Sequence, residues 1–330
     1  MIVGYAGNFD PPASTENEVA KALEANGHEV RRLQENRADT WTDPASIEGL
    51  DLFLWTRTGW SWPDATGWSW EQAVEYQRAL LAALRMRRIP SAGIHLDLWH
   101  GLDRVGQIAN EPFFGVDLLC TADGGHEAEW VAAGVNHRWL PPGVSEFECG
   151  GGTFNRRLAS DVAFVGSWRP GYHHESPHRA ELVSWLRSTY RNRCRFWGGA
   201  GRSMRGPALR DLMASVKVFV GDSCRVGQLA RYWSDRIPET VGRGGFLLHP
   251  YLEGIEEHFT DGEHLRLWPV GDWGELRRLV DYYVAHDEER RRIAEQGRRH
   301  VLETATYTVR VRQLEALLVA EGLLTASATS

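Results

Sequence analysis

A chain of 330 residues with 37 Lys and Arg against 44 Asp and Glu carries a formal net charge of −7, and 42% of it is hydrophobic and 25% charged. The length accommodates two domains, and the balance is that of a globular protein, which excludes wholesale disorder, a collagen-like repeat and a disulfide scaffold. The acidic total disfavours a nucleic-acid backbone as main partner, because such proteins need surplus Lys and Arg to displace counterions.

Short β-branched or aromatic runs alternate with amphipathic stretches of helical length, the pattern of βαβ units around a parallel sheet. Ile2 to Ala6 reads as a buried strand, Gly7 to Pro12 as a loop, and Ser14 to Asn26 as a helix N-capped by Ser14 or Thr15 and stopped at Gly27. Strands are predicted next at His28 to Leu33, Asp51 to Trp55, Ile89 to Ile94, Val116 to Cys120 and Arg138 to Leu140, with helices at Ser69 to Arg87 and Gly125 to Ala133. Pro141 to Ser160, with Pro-Pro and a Gly-Gly-Gly run, reads as a linker. A second series then begins: strand Asp161 to Gly166, helix Pro177 to Thr189, strand Arg195 to Trp197, helix Pro207 to Ala214, strand Lys217 to Val220, helix Ser234 to Gly242 and strand Gly245 to His249. Asp272 to Leu323 reads as almost wholly helical. Two doubly wound α/β halves, 1–150 and 156–305, place the expected active site in a cleft at the C-terminal ends of the strands.

Cys120, Cys149, Cys194 and Cys224 show neither a Cys-x-x-Cys pair nor zinc spacing and read as free thiols. The N-terminus lacks the basic region of a signal peptide, and no run approaches the roughly 20 apolar residues of a membrane span, so a cytoplasmic location is expected. No G-x-G-x-x-G follows the first strand and no Walker A lysine motif occurs, which removes the main support for hydride transfer and P-loop chemistry.

The most informative stretch is Tyr232 to Leu265. Ser234, Arg236 and Glu239 form Ser-x-Arg-x-x-Glu, followed by Gly244 to Leu248 as Gly-Gly-Phe-Leu-Leu, then Gly254, Glu257, Phe259 and Gly262. This order resembles the donor-binding half of GT-B glycosyltransferases, in particular the CgeB-like spore-maturation branch, with a family 1- or 4-like donor domain. Residues 286–318 resemble that family's closing helices, which implies a last helix, 306–330, that returns to the N-terminal domain.

The resemblance implies transfer of a sugar from a nucleoside diphosphate, most simply a UDP- or GDP-sugar, to a hydroxyl-bearing acceptor, with neither a bound metal nor a tightly bound cofactor. Such a donor needs fixed positive charge for its diphosphate, a carboxylate for its ribose diol, and a stacking or edge contact for its base. Glu239 suits the ribose, Arg236 on the same helical face the leaving phosphate, and Ser234 either an N-cap or a phosphate contact. Arg236 and Glu239 also have the spacing of a local ion pair.

Gly166, Ser167 and Arg169 in the loop after the first strand of the second half are expected near the diphosphate, with Arg179 a further phosphate candidate. Trp197 and Gly198 are expected near the base, and Asp222 and Ser223 near sugar and phosphates. His173, His174 and His178 read as loop or surface residues. Many retaining GT-B enzymes carry a glutamate eight positions before the second one, and here that place is Arg231, which cannot accept from sugar hydroxyls.

In the first half, His95 and Asp97 follow a strand and are the candidates for the base that an inverting enzyme needs, with Asn8 and Asp10 secondary. Trp55, Trp60, Trp62, Trp68 and Trp70 cluster in one loop-rich region and read either as an acceptor platform or as core. The acceptor is open among glycan, small molecule, protein and modified nucleic acid. A 2-epimerase-like isomerase and a non-catalytic nucleotide-binding subunit are the competing readings.

Overall fold

Leu52 to Thr56 illustrates how these strands are built: Leu52 and Leu54 enter one buried cluster, while Phe53 and Trp55 enter another on the opposite face. A computed structural model describes residues 1–35, 37, 44–57, 68–97, 108, 110–167, 178–198, 204–224 and 231–325. The chain divides into two units, Met1–Leu140 with Tyr307–Ser330, and Pro141–Thr306.

The first unit contains β1 (Ile2–Gly7), α1 (Thr15–Ala25), β2 (Glu29–Gln34), β3 (Leu52–Thr56), α2 (Trp70–Met86), β4 (Ser91–His95), β5 (Leu118–Thr121), α3 (Glu127–Ala132) and β6 (His137–Trp139). Its six-stranded sheet has the order β2-β1-β3-β4-β5-β6, every pair parallel. Ser14 is the N-cap of α1 and accepts from the Asn17 N–H at 3.2 Å. Ser69 caps α2 with a full capping box through Gln72. The chain's last helix, α9 (Tyr307–Ala320), buries Tyr307, Val311, Leu314 and Leu318 with Val19 and Leu23 of α1 on one face of this sheet. Asn26 fastens it, donating to the Thr308 carbonyl at 3.2 Å and accepting from Arg312 Nε at 3.0 Å.

The second unit contains β7 (Ser160–Val165), α4 (His178–Tyr190), β8 (Cys194–Trp197), α5 (Gly206–Ser215), β9 (Val216–Val220), α6 (Arg236–Gly242), β10 (Leu247–Pro250), β11 (Arg266–Trp268), α7 (Trp273–Ala285) and α8 (Asp287–Thr304). Its sheet has the order β11-β10-β9-β7-β8, also parallel throughout. Val162, Phe164, Val218, Val220, Phe246 and Leu248 pack beneath α4, α7 and α8. β11 was not among the expected strands, being only three residues long between two glycine turns.

The expected linker at 141–160 is corrected. Pro141 to Ser145 are buried, and the Val144 N–H donates to the Ala305 carbonyl at 3.1 Å. The Thr153 N–H donates to Asp211 at 2.8 Å and the Asn155 N–H to Ser215 Oγ at 2.8 Å. A Cβ on Gly152 would lie 2.0 Å from the Arg210 carbonyl oxygen. Gly152 therefore permits close backbone docking on α5.

Of the two readings of the tryptophan run, core holds at Trp55, which is 1% exposed and packs edge-on against Phe113 at 5.2 Å. Trp68 is half-buried against Tyr76, and Trp70 is exposed with the Arg57 guanidinium 5.9 Å from its ring. Trp60 and Trp62 lie outside the described residues. All four cysteines are free and buried, and burial pushes the Cys120 and Cys194 thiols up to about 12. Among the described residues no helix is long and apolar enough to cross a membrane, and no group of three His, Cys, Asp or Glu could hold a metal ion.

Candidate functional site

In the second sheet β7 comes first in the chain and has β8 on one side and β9 on the other, so the strand order reverses between β7 and β9. Successive crossovers leave that point in opposite directions and open a crevice beyond the strand ends, where α/β sheets bind ligands. Gly166 and Ser167 leave β7 at this edge, and Gly221 to Cys224 leave β9 beside them.

The next loop is packed on the first, backbone to backbone. The Gly166 N–H donates to the Trp197 carbonyl at 2.8 Å, and Gly198 has φ +99°. A Cβ at Gly198 would lie 2.9 Å from the Gly166 carbonyl oxygen. Gly198→Ala is accordingly expected to cost the second unit about 1–3 kcal/mol through overpacking and positive-φ strain, read as a lowered unfolding transition. Trp197 ends β8 half-buried, and its buried indole N–H has no hydrogen-bond partner among the described residues. Arg169, His173 and His174 lie outside the described residues. His178, at the start of α4, pairs with Glu181 at 3.5 Å.

Asp222 and Ser223 are held from several sides. Arg179 on α4 approaches the buried Asp222 carboxylate at 3.5 Å. His249 Nδ1 faces the Pro250 carbonyl at 2.8 Å, and a carbonyl only accepts, so that nitrogen carries the proton. Nε2 is then the acceptor for the Ser223 hydroxyl at 3.0 Å, and Ser223 Oγ in turn accepts from the Ser234 N–H at 3.0 Å. Ser234 is therefore not the N-cap expected of it: Asp235 occupies that position without a side-chain cap bond, and Ser234 Oγ reaches the Asp222 carbonyl at 3.4 Å instead.

α6 is short and almost wholly buried from Ile237 to Gly242. Glu239 on it forms an ion pair with Arg236, the local pair that their spacing allows, and Arg205 adds a second contact at 3.3 Å to the other carboxylate oxygen. The buried Arg243 donates to the Glu239 carbonyl at 3.1 Å. Arg231, at the position eight residues before Glu239 discussed above, has φ +53° and donates to Glu257 through Nε at 3.0 Å and Nη2 at 2.9 Å. A cavity of about 820 Å³ opens at the opposite edge of this sheet, where β7 and β9 begin, and holds none of these residues.

Sequence reasoning missed Arg205 and His249. Arg205 directly precedes the Gly-Pro that opens α5, and proline in a helix's first turn marks that residue as the end of a loop at the strand C-terminal edge. His249 is a lone polar residue inside an apolar strand, a weak signal without its partners.

In the first unit, His95 ends β4 buried against Phe113 at 6.3 Å, and Asp97 is exposed two residues on. Asn8 accepts from Gln34 Nε2 at 3.1 Å, which orders the loop carrying Asp10. The same strand edge buries polar groups that the sequence did not single out: Tyr5 bonds Thr56 at 2.8 Å, Arg57 pairs with Glu111, and Glu16 and Glu35 are buried. Burial, reinforced by Glu16, raises the Tyr5 hydroxyl well above its ordinary range, and burial lowers Arg57 to about 10.

Residues 178–316 match the family model described as glycosyl transferase-like. Curated proteins give no match. Among solved structures, Anabaena HepE in complex with UDP-glucose is 13% identical, with 97% of this chain and 100% of that chain covered and a TM-score of 0.59. The same protein with UDP and glucose is 12% identical, with the same coverage and a TM-score of 0.58. Sucrose-phosphate synthase from Thermosynechococcus elongatus is 13% identical over 97% of this chain and 99% of that one, with a TM-score of 0.55. Two parallel Rossmann-like sheets and these neighbours give the chain a GT-B fold, with a glycosyl transferase-like domain match over residues 178–316.

Proposed function

We propose that the protein is a glycosyltransferase that takes a sugar from a nucleoside diphosphate, UDP- or GDP-linked, and moves it to a hydroxyl-bearing acceptor without a bound metal. The observation that carries this reading is the Arg236–Glu239 pair on α6, at the C-terminal edge of the second sheet and inside the glycosyl transferase-like match. Glu239 offers a carboxylate to ribose hydroxyls, and Arg236 a fixed cation to the departing diphosphate. Catalysis then rests on holding the donor and stabilising leaving-group charge.

The remaining assignments belong to the same proposal. Gly166 and Ser167 approach the diphosphate at the switch point, Trp197 and Gly198 meet the base, and Asp222, Ser223 and Ser234 line the sugar and phosphate side. UDP and UDP-glucose in the HepE structures agree with such a donor. On the acceptor side, His95 at the end of β4 and Asp97 two residues on are assigned the proton of the attacking hydroxyl. We place the reading nearest the CgeB-like branch on the residues from Ser234 to Gly262.

A thermal-shift panel of UDP, GDP, dTDP, ADP and CDP tests the reading. At least one diphosphate is expected to raise the unfolding temperature, and Glu239→Ala to abolish most of that shift. No shift with any of the five, or an equal shift in the variant, contradicts the assignment.

A further inference from the structure

Glu239 is a carboxylate with a side chain only 8% exposed, and each of its oxygens faces a different arginine, Oε1 toward Arg205 and Oε2 toward Arg236. The arginines come from separate elements, Arg205 from the loop end before α5 and Arg236 from the first residue of α6. They are also unequal: the Arg205 side chain is 49% exposed and reaches the carboxylate through one nitrogen at 3.3 Å, whereas Arg236 is 26% exposed and closer. A guanidinium carries five N–H donors, so the single bond to Glu239 leaves most of the Arg205 fork facing outward from a buried anion.

We propose that Arg205 is a phosphate-binding and specificity residue of the donor site, and that Glu239 serves as its stand-in anion until a nucleoside diphosphate arrives. This rests on the donor-site reading above. A ribose diol seeking Glu239 meets a carboxylate already held on both oxygens. A neutral nucleoside must share that carboxylate with two cations and offers them nothing in exchange. A diphosphate supplies several anionic oxygens, to which Arg205 and Arg236 transfer while remaining paired, and Glu239 is released to accept from the ribose hydroxyls. No covalent bond changes in this exchange. The consequence is coupled recognition: phosphates and ribose are bound together, and the site selects nucleoside diphosphates over nucleosides by more than the added phosphate contacts alone.

Competition calorimetry with uridine, UMP and UDP, and in parallel guanosine, GMP and GDP, tests this on the full chain in wild type, Arg205→Ala and Arg205→Lys. Arg205→Ala is expected to weaken diphosphate binding about 10- to 100-fold, the range for one hydrogen bond to a charged group, while nucleoside affinity holds or rises because Glu239 has lost a competitor. Arg205→Lys is expected to recover part of the diphosphate affinity, since it restores the charge without the planar fork. Arg205 is half exposed, so the unliganded unfolding temperature should stay near that of wild type. If Arg205→Ala weakens nucleoside and diphosphate by the same factor, or neither, Arg205 has no such role, although the donor site stands. If wild type binds neither UDP nor GDP, the donor-site reading falls and this inference with it.

Discussion

Arg236→Ala is expected to lower the rate of donor turnover about 10²- to 10³-fold, the usual loss when one fixed group that stabilises developing charge is removed. The anionic leaving group gains charge as the sugar bond breaks, so a cation at this position counts more in the transition state than in the bound donor. The loss should fall mainly on kcat, with a smaller rise in KM. Release of UDP or GDP from the nucleotide sugar by hydrolysis reports this without knowledge of the acceptor. Some loss of stability is expected as well, because Glu239 is buried and gives up one of its two cations, while Arg205 still faces the carboxylate and limits that loss, so the unfolding temperature is measured alongside the rate. A variant within about threefold of wild type would contradict the role given to Arg236.

Trp130→Ala is expected to destabilise the first unit by about 3–5 kcal/mol, the largest stability effect anticipated from a single side chain here. The indole is fully buried, stacked against Phe114 at 5.6 Å and against His137 at 5.1 Å. Truncation leaves a cavity among rings that cannot collapse, and it removes the aromatic contacts as well. Calorimetry suits the test, because two units need not unfold in one transition. A transition within about 1 kcal/mol of wild type would show that the core closes around the gap.

Much of the fold was legible in the residues. The strand at Leu52 to Trp55, the cap at Ser14 and the helix start at Ser69 rest on local signals, and local signals are what a sequence states directly. What escaped depends on partners distant in the chain. Ser234 has the chemistry of an N-cap, but Ser223 from the β9 loop takes its N–H and the Asp222 carbonyl its hydroxyl. The Gly-Gly-Gly run has the composition of a linker, and only the backbone of Arg210 reveals why a side chain is absent at Gly152. Trp55 belongs to a tryptophan-rich run open between platform and core, and its strand position settles it in the core. At the candidate site the Arg236–Glu239 pair was visible as a spacing, whereas Arg205 meets Glu239 from 34 positions away. Its exposure and geometry, not its sequence neighbourhood, make it a candidate ligand.

The most direct measurement is a crystal structure of the full chain soaked or grown with UDP, or with GDP if the thermal panel selects it. The diphosphate is expected within hydrogen-bond distance of the Arg236 guanidinium and the ribose hydroxyls on the Glu239 carboxylate, beyond the C-terminal ends of β7 and β9. Nucleotide bound elsewhere, with Arg236 and Glu239 still closed on each other, would contradict it.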